Sequence, residues 1–482
     1  MKAAYLGCVA AAAGLLVPAA RGTELPADTR AAILAQVDRQ GPGLAETARA
    51  IWELAEVGYQ ETRSSALLQR RLAGAGFRVT AGVAGMPTAF VASYRNGPGP
   101  VIAILAEFDA LPGLSQQATA ERGAVAGQAA GHGCGHNLLG AAATAAAIAL
   151  KEWMAQADVR GEVRVYGAPA EEGGSGKVYF VRDGAFADVD AVLHWHPADR
   201  NSAAQRRSQA NISGKFRFRG VAAHASSAPD KGRSALDGVE IMNVAVNYLR
   251  EHVPDGTRIH YIVSDGGSAP NVVPDRAESY YYVRHEDPAV VRAVMARVKD
   301  AASGAATASG TSVTFEATGG VFSILPNDTL GAVLQRNLVA VGGPGWSPEE
   351  TAFAAAIART LPSPGDLAAA SRIESPDEDG PSGGSTDVAD VSWTVPTAGI
   401  TVATWVPGTP GHSWQATAAS GAGIGARGAL VAARVLALSA AELLRDPALL
   451  AGAKAELLHK RGPDFRYEAM VGDRAPPLDY RK

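Results

Sequence analysis

Four short segments concentrate the residue types that bind metals and move protons. The first is Gly131-His132-Gly133-Cys134-Gly135-His136-Asn137. Cys134 and His136 lie two apart, with Gly135 between them to let the backbone bend. A thiolate and an imidazole are good ligands for zinc or another divalent transition metal. A buried thiol beside a core histidine would explain the pair alone equally well. The second segment is Ala168-Pro169-Ala170-Glu171-Glu172-Gly173-Gly174, directly after a predicted strand. Adjacent carboxylates there are costly unless cations or protons compensate them. One can bind a metal while its neighbour takes a proton from metal-bound water; in isolation the pair reads as solvated surface. The third, His194-Trp195-His196-Pro197, ends the next predicted strand, on the edge of an α/β sheet where ligands bind. The fourth, Gly408-Thr409-Pro410-Gly411-His412-Ser413, is a turn-rich loop carrying another histidine. Cysteine, histidine, glutamate and two more histidines thus fall beyond strands or in glycine-rich turns. Five such ligands suit two metal ions, one position being bridged and water-bearing.

Other motifs fail on inspection. Gly423-Ile424-Gly425-Ala426-Arg427-Gly428 matches the dinucleotide fingerprint, which alone would suggest a nucleotide-dependent oxidoreductase. No clear strand leads into it and no second βαβ half follows, so it reads as a tight turn opening a helix. Gly174-Ser175-Gly176-Lys177 lacks the first glycine of a phosphate loop and has Val178 where Ser or Thr is needed. No Gly-x-Ser-x-Gly elbow is present.

These residues need a frame. Residues 30–75 read as helix, and Phe77–Val83, Ala89–Tyr94, Val101–Ala106, Glu162–Tyr166 and Ala191–His194 as strands, with an Ala-rich helix over Leu138–Met154. This alternation predicts an α/β sheet layer. From Asn211 the pattern changes. Strand 211–220, helix 235–252, strands 258–264 and 278–284, helix 288–303 and strand 312–318 follow the split βαβ order. The predicted organisation is a catalytic unit in two parts, 23–210 and 326–482, with a small domain inserted at 211–325. Glu374–Ser385 reads as a solvated loop. After Asp446 the tail reads as polar helix.

With 482 residues the chain exceeds one core of ~150 residues. Its 44 basic residues against 48 acidic ones give no nucleic-acid footprint. Only two cysteines, Cys8 and Cys134, exclude a disulfide framework. Residues 1–22 carry the early charge Lys2, an apolar run and small residues, the pattern of a secretory signal. The expectation is a mature chain that is periplasmic or secreted, without a membrane anchor, with Cys8 lost and Cys134 left without a partner thiol.

The segments EFDALPGLSQ (107–116), GHGCGHN, PAEEGGSGK, WHP, GVAAHASSAPDKGRSALD, APNVVP and GTPGHSW, taken together, resemble the M20 metallopeptidase/amidohydrolase family, nearest its p-aminobenzoyl-glutamate hydrolase subgroup. They appear in family order from about residue 45 onward. The resemblance implies a mixed-sheet α/β di-metal hydrolase with an inserted ferredoxin-like lid and dimerisation domain. It implies Cys134, His136, Glu172, His196 and His412 as ligands of two divalent ions, zinc or manganese, with cobalt a further candidate. His194 competes with His196, because relatives carry a His-x-x-Pro arrangement that it also fits. Glu171 would be the general base and Asp109 the acid supporting the metal site. His224 would hold the scissile carbonyl oxygen, often in the partner subunit's site; Asn271 and Arg284 would contact a substrate carboxylate. An exposed loop histidine and an exposed strand arginine are the plainer readings of His224 and Arg284. The implied reaction is amide hydrolysis of an N-acyl amino acid such as p-aminobenzoyl-glutamate, or of a related aryl amide or dipeptide, by a metal-bridging hydroxide. A homodimer or higher homo-oligomer is expected. The alternatives are an M20 carboxypeptidase or aminoacylase of other specificity, and a non-catalytic relative that only binds ligand.

Overall fold

The structure is a computed structural model and describes residues 24–376 and 384–481. The expected export signal falls outside the described residues, as does the middle of the 374–385 loop. The chain opens with helix α1 (Ala27–Leu54), whose Ile33, Val37, Leu44, Ala48 and Ile51 recur at helical spacing and are buried. Helix α2 (Thr62–Gly74) follows. The single helix expected over 30–75 is therefore two. Ala55 (φ 44°) and Tyr59 (φ 62°) turn left-handed between them, and Tyr59 and Glu61 of the break bury themselves against the Ala170–Gly174 turn.

Strands β1 (Arg78–Ala81), β2 (Phe90–Asn96) and β3 (Val101–Ala106) come next. A two-residue ribbon, β4 (Leu111–Pro112) and β5 (Ala130–Gly131), ties off a loop. Then follow α3 (His136–Gln156), β6 (Gly161–Gly167), α4 (Gly176–Arg182) and β7 (Ala191–Ala198). Much later β12 (Thr397–Ala403) closes one sheet in the order β1-β2-β6-β3-β7-β12. Strands β6, β3, β7 and β12 are parallel, and β2 runs antiparallel to both of its neighbours, β1 and β6. Every residue of β3 is buried, as expected for a parallel strand covered on both faces. Helix α3 packs between this sheet and α1, and its many alanines permit close approach.

The insert forms a second sheet from β8 (Ala210–Arg219), β9 (Arg258–Asp265), β10 (Arg276–His285) and β11 (Ser312–Val321), ordered β11-β8-β10-β9 and antiparallel throughout. Two helices, 235–249 and 288–309, cover one face over a separate core containing Phe216, Phe218 and Tyr281. The fold is thus a mixed α/β sheet layer with a split-βαβ insert. Helices at 328–341, 348–358, 388–392, 414–420, 423–445 and 447–461 complete the first unit. The helix beginning at Gly423 absorbs the glycine fingerprint. A Cβ on Gly428 would lie 2.3 Å from the Ala403 carbonyl, so the small residues serve helix-on-strand packing. Beyond Arg461 the tail is not the expected helix: residues 462–481 run as turns over both units.

Candidate metal centre

The parallel strands end level with one another, Ala106 opposite Gly167 and Ala198 opposite Ala403. Their carboxyl ends deliver the site, as sheets of this kind do. Glu107 and Asp109 follow β3, Glu171 and Glu172 follow β6, His196 sits near the end of β7, and the loop after β12 carries His412. Cys134 and His136 arrive at the start of α3. The approach depends on Gly135, which is left-handed (φ 74°) and where a Cβ would meet Pro197 at 2.8 Å. Gly133 accepts a hydrogen bond from the His412 N–H at 3.0 Å, pinning the two loops together. His412 is itself left-handed (φ 57°), a strained conformation for a non-glycine residue.

Three sets of donor atoms converge within 4.8 Å: Cys134, His136 and His196; Cys134, Glu172 and His412; and Glu107, His136 and Glu171. Cys134 and His136 each belong to two of them. The Cys134 Sγ lies 3.4 Å from His196 Nε2. The other nitrogen of His196 faces the Pro197 carbonyl at 2.7 Å, leaving Nε2 to point inward. His194 lines the same cavity but stacks against Gly399, where a Cβ would come within 2.3 Å of its ring. It enters none of the three sets. Asp109 supports two ligands. Its Oδ1 meets His136 Nδ1 at 2.9 Å and its Oδ2 accepts the Glu172 N–H at 3.0 Å.

Charge explains why these groups tolerate one another. Glu107 Oε2, His136 Nε2 and Glu172 Oε1 are buried atoms that make no well-directed hydrogen bond among the described residues; Glu107 Oε2 and His136 Nε2 face each other at 3.2 Å, and Glu172 Oε1 faces His412 Nε2 at 3.1 Å. Buried donor atoms of mixed type that converge on one another without well-directed hydrogen bonds suit a cation site. Desolvation works against Glu172, yet His412 and His136 hold it down to about 2. Desolvation first, then the charges of Glu107 and Glu172, push Glu171 well above the usual carboxylate range. Desolvation would lower His136, but Cys134, Asp109 and Glu107 raise it well above an ordinary imidazole. The same negative field attracts a divalent ion.

Two residues with no role in the sequence reading belong to this network. Lys177 is fully buried between Glu107 Oε1 and Asp387 Oδ1, both at 2.6 Å. Its segment fails as a phosphate loop because the lysine serves carboxylates instead. Glu107 was visible only as the residue two before Asp109 at a strand end.

A cavity of about 600 Å³ opens from Cys134, Glu171, Glu172 and His412 toward Gln205, Arg206, Arg207 and Ser385. The remaining expected residues are not brought to the cluster within this chain. His224 sits on the insert, its Nδ1 accepting from the Ser226 and Ser227 N–H groups. Asn271 lies beside it and accepts the Ala225 N–H. Arg284 donates to Ser385 Oγ at 3.2 Å and lines a separate hollow with Arg258 and His260.

Comparison with known proteins agrees with this architecture. The M20 peptidase dimerisation domain matches residues 208–308. The chain is 40% identical over 442 residues to a component polypeptide of the p-aminobenzoyl-glutamate hydrolase of Escherichia coli, covering 86% of this chain and 91% of the relative. It is 30% identical to the Xaa-Arg dipeptidase of Mus musculus, covering 87% and 90%. Among solved structures, a dinuclear metal-binding M20 peptidase of Bacillus subtilis superposes with TM-score 0.59 at 18% identity, over 85% of this chain and 99% of that one. An aminobenzoyl-glutamate utilization protein of Klebsiella pneumoniae gives 0.58 at 20% identity, over 82% and 96%.

Proposed function

This chain belongs to the M20 family of metallopeptidases and amidohydrolases, and from that premise we propose that it hydrolyses the amide bond of an acylated acidic amino acid of the p-aminobenzoyl-glutamate type. The observation that carries the reading is the convergence of the donor atoms of Cys134, His136, Glu171, Glu172, His196 and His412 in three overlapping sets.

Cys134, His136, Glu172, His196 and His412 would hold two divalent ions. When bound, such ions polarise a carbonyl and acidify water. Glu171 takes the proton of the attacking water and returns it to the leaving amine; an already raised carboxyl pKa suits both duties. Asp109 fixes the His136 tautomer by accepting at Nδ1. Lys177 keeps Glu107 ionised: desolvation opposes this, yet the lysine and His136 hold Glu107 down to about 2. Arg206 and Arg207 line the cavity wall, where guanidinium groups suit a substrate carboxylate.

His224 sits on a loop of the insert and enters neither the donor sets nor the cavity lining of this chain, which suits a role across a dimer. Support for a dimer comes from exposed apolar residues on the insert: Ile241, Val244 and Tyr248 on the 235–249 helix, and Ile262 and Val263 on β9, an edge strand. The N-terminal pattern supports export, and N-terminal sequencing of protein from the periplasmic fraction tests it.

The test of function is a substrate panel on protein reloaded separately with manganese, zinc or cobalt. Turnover of p-aminobenzoyl-glutamate above its alanine and arginine counterparts is expected. Metal binding without hydrolysis of any amide would leave a ligand-binding relative.

A further inference from the structure

We propose that Tyr480 and Arg481 are positioning residues for the carboxylate pair, clamping the Glu172 carbonyl so that Glu171 and Glu172 face the metal site together. The inference rests on the metal-site reading above. Tyr480 donates its hydroxyl to the Glu172 carbonyl at 3.1 Å, and Arg481 donates to the same oxygen at 2.6 Å. On the other side of the residue, the Glu172 N–H is held by Asp109 Oδ2. Both peptide groups flanking the Glu172 side chain are therefore fixed from outside the turn.

The turn needs such support. Ala170 (φ 56°), Gly173 (φ 97°) and Ser175 (φ 56°) are all left-handed, and two of the three carry a side chain. Such residues persist only where their surroundings over-determine them. Arg481 also brings a cation to the back of a turn that places two carboxylates side by side.

The tail residues have a prepared seat. A Cβ on Gly58 would lie 2.2 Å from the Tyr480 hydroxyl, so that position tolerates little but glycine. Tyr59 packs edge-on against the Tyr480 ring at 5.7 Å, and Gln60 donates to the Leu478 carbonyl. These are the residues of the break between α1 and α2, which gives that break a purpose. Upstream, the tail is anchored on the insert. Arg474 donates to the Thr318 carbonyl of β11, and Arg292 of the 288–309 helix donates to the Glu468 carbonyl. A single strap thus runs from the insert to the catalytic turn.

Arg481→Ala, Arg481→Lys and Tyr480→Phe test this in the full chain. A positioning role predicts kcat for p-aminobenzoyl-glutamate lowered ~10- to 100-fold in Arg481→Ala, with KM nearly unchanged. It predicts manganese binding to the stripped protein, by calorimetry, weakened ~10-fold, with partial recovery in Arg481→Lys. The melting temperature should move by no more than about 2 °C. Unchanged metal affinity and kcat in Arg481→Ala would overturn the proposal. So would activity lost only in step with the unfolded fraction, which marks a merely structural staple. If the parent hydrolyses no amide, the metal titration still decides the question and the failure belongs to the proposed function.

Discussion

Glu171 and Glu172 are neighbours in the chain, and their surroundings shift their acidities in opposite directions. Glu172 faces His412 at 3.1 Å and stays ionised. Glu171 is pushed the other way, above the usual carboxylate range, by desolvation and by the charges of Glu107 and Glu172. Glu171→Gln removes the proton carrier but no donor atom essential to both metal sets. It is expected to keep its metal and lose ~10²- to 10⁴-fold in kcat, measured beside metal content by elemental analysis. Cys134→Ala should lose metal from both sets at once, because the thiolate is common to them. Metal content equal to that of the parent would leave Cys134 a packing residue. Side-chain chemistry of this kind is legible in a sequence, since Cys-Gly-His and Glu-Glu are local patterns. Lys177 and Asp387 are not, because 210 residues separate a lysine from the aspartate that holds it.

At the scale of elements, the site depends on backbone at glycines more than on helices. Gly135→Ala places a Cβ in a left-handed turn against Pro197. It is expected to cost about 1–2 kcal/mol of stability, read by denaturant unfolding, and to reduce metal occupancy because Cys134 and His136 flank the shifted peptide. The strands and the insert's order are legible from period and breakers. The division of residues 30–75 is not. Its apolar positions continue at helical spacing through the break, and what interrupts the helix is tertiary: Glu61 accepts the Ala170 N–H at 2.8 Å. Burial and the charge of Asp109 raise this carboxyl to about 8. The tail fails for a different, local reason: Gly462 turns left-handed (φ 81°) directly after Arg461, and Pro463 and the Pro476-Pro477 pair cannot continue a helix.

At the scale of the whole molecule, Asp390 marks the joint between the two units and the tail. It accepts the Phe322 N–H at the end of β11 and the Tyr467 hydroxyl of the tail. Burial raises it to about 7 from an ordinary 3.8. A raised carboxylate stabilises the fold fully below the unfolded pKa near 4, and that contribution is lost as pH climbs through 7. Ionisation at pH 8 therefore costs on the order of 4 kcal/mol. Asp390→Asn should gain melting temperature relative to the parent as pH rises from 5 to 8, and an unchanged difference across that range would contradict the assignment. The second expectation concerns assembly. Ile262→Asp on β9 should yield monomers by light scattering and lose turnover, while each monomer still binds metal.

The β9 edge has one more consequence. Exposed Ile262 and Val263 lie on a strand whose outer N–H and C=O groups have no neighbour within the sheet. An apolar, unpaired edge is a template for any other strand it meets. Dissociation of such an assembly would not give inert monomers; it would expose a surface that nucleates precipitation. Ile262→Asp should then be the more soluble protein in dilute solution even though it is the less active one, because a charge on the edge blunts strand addition.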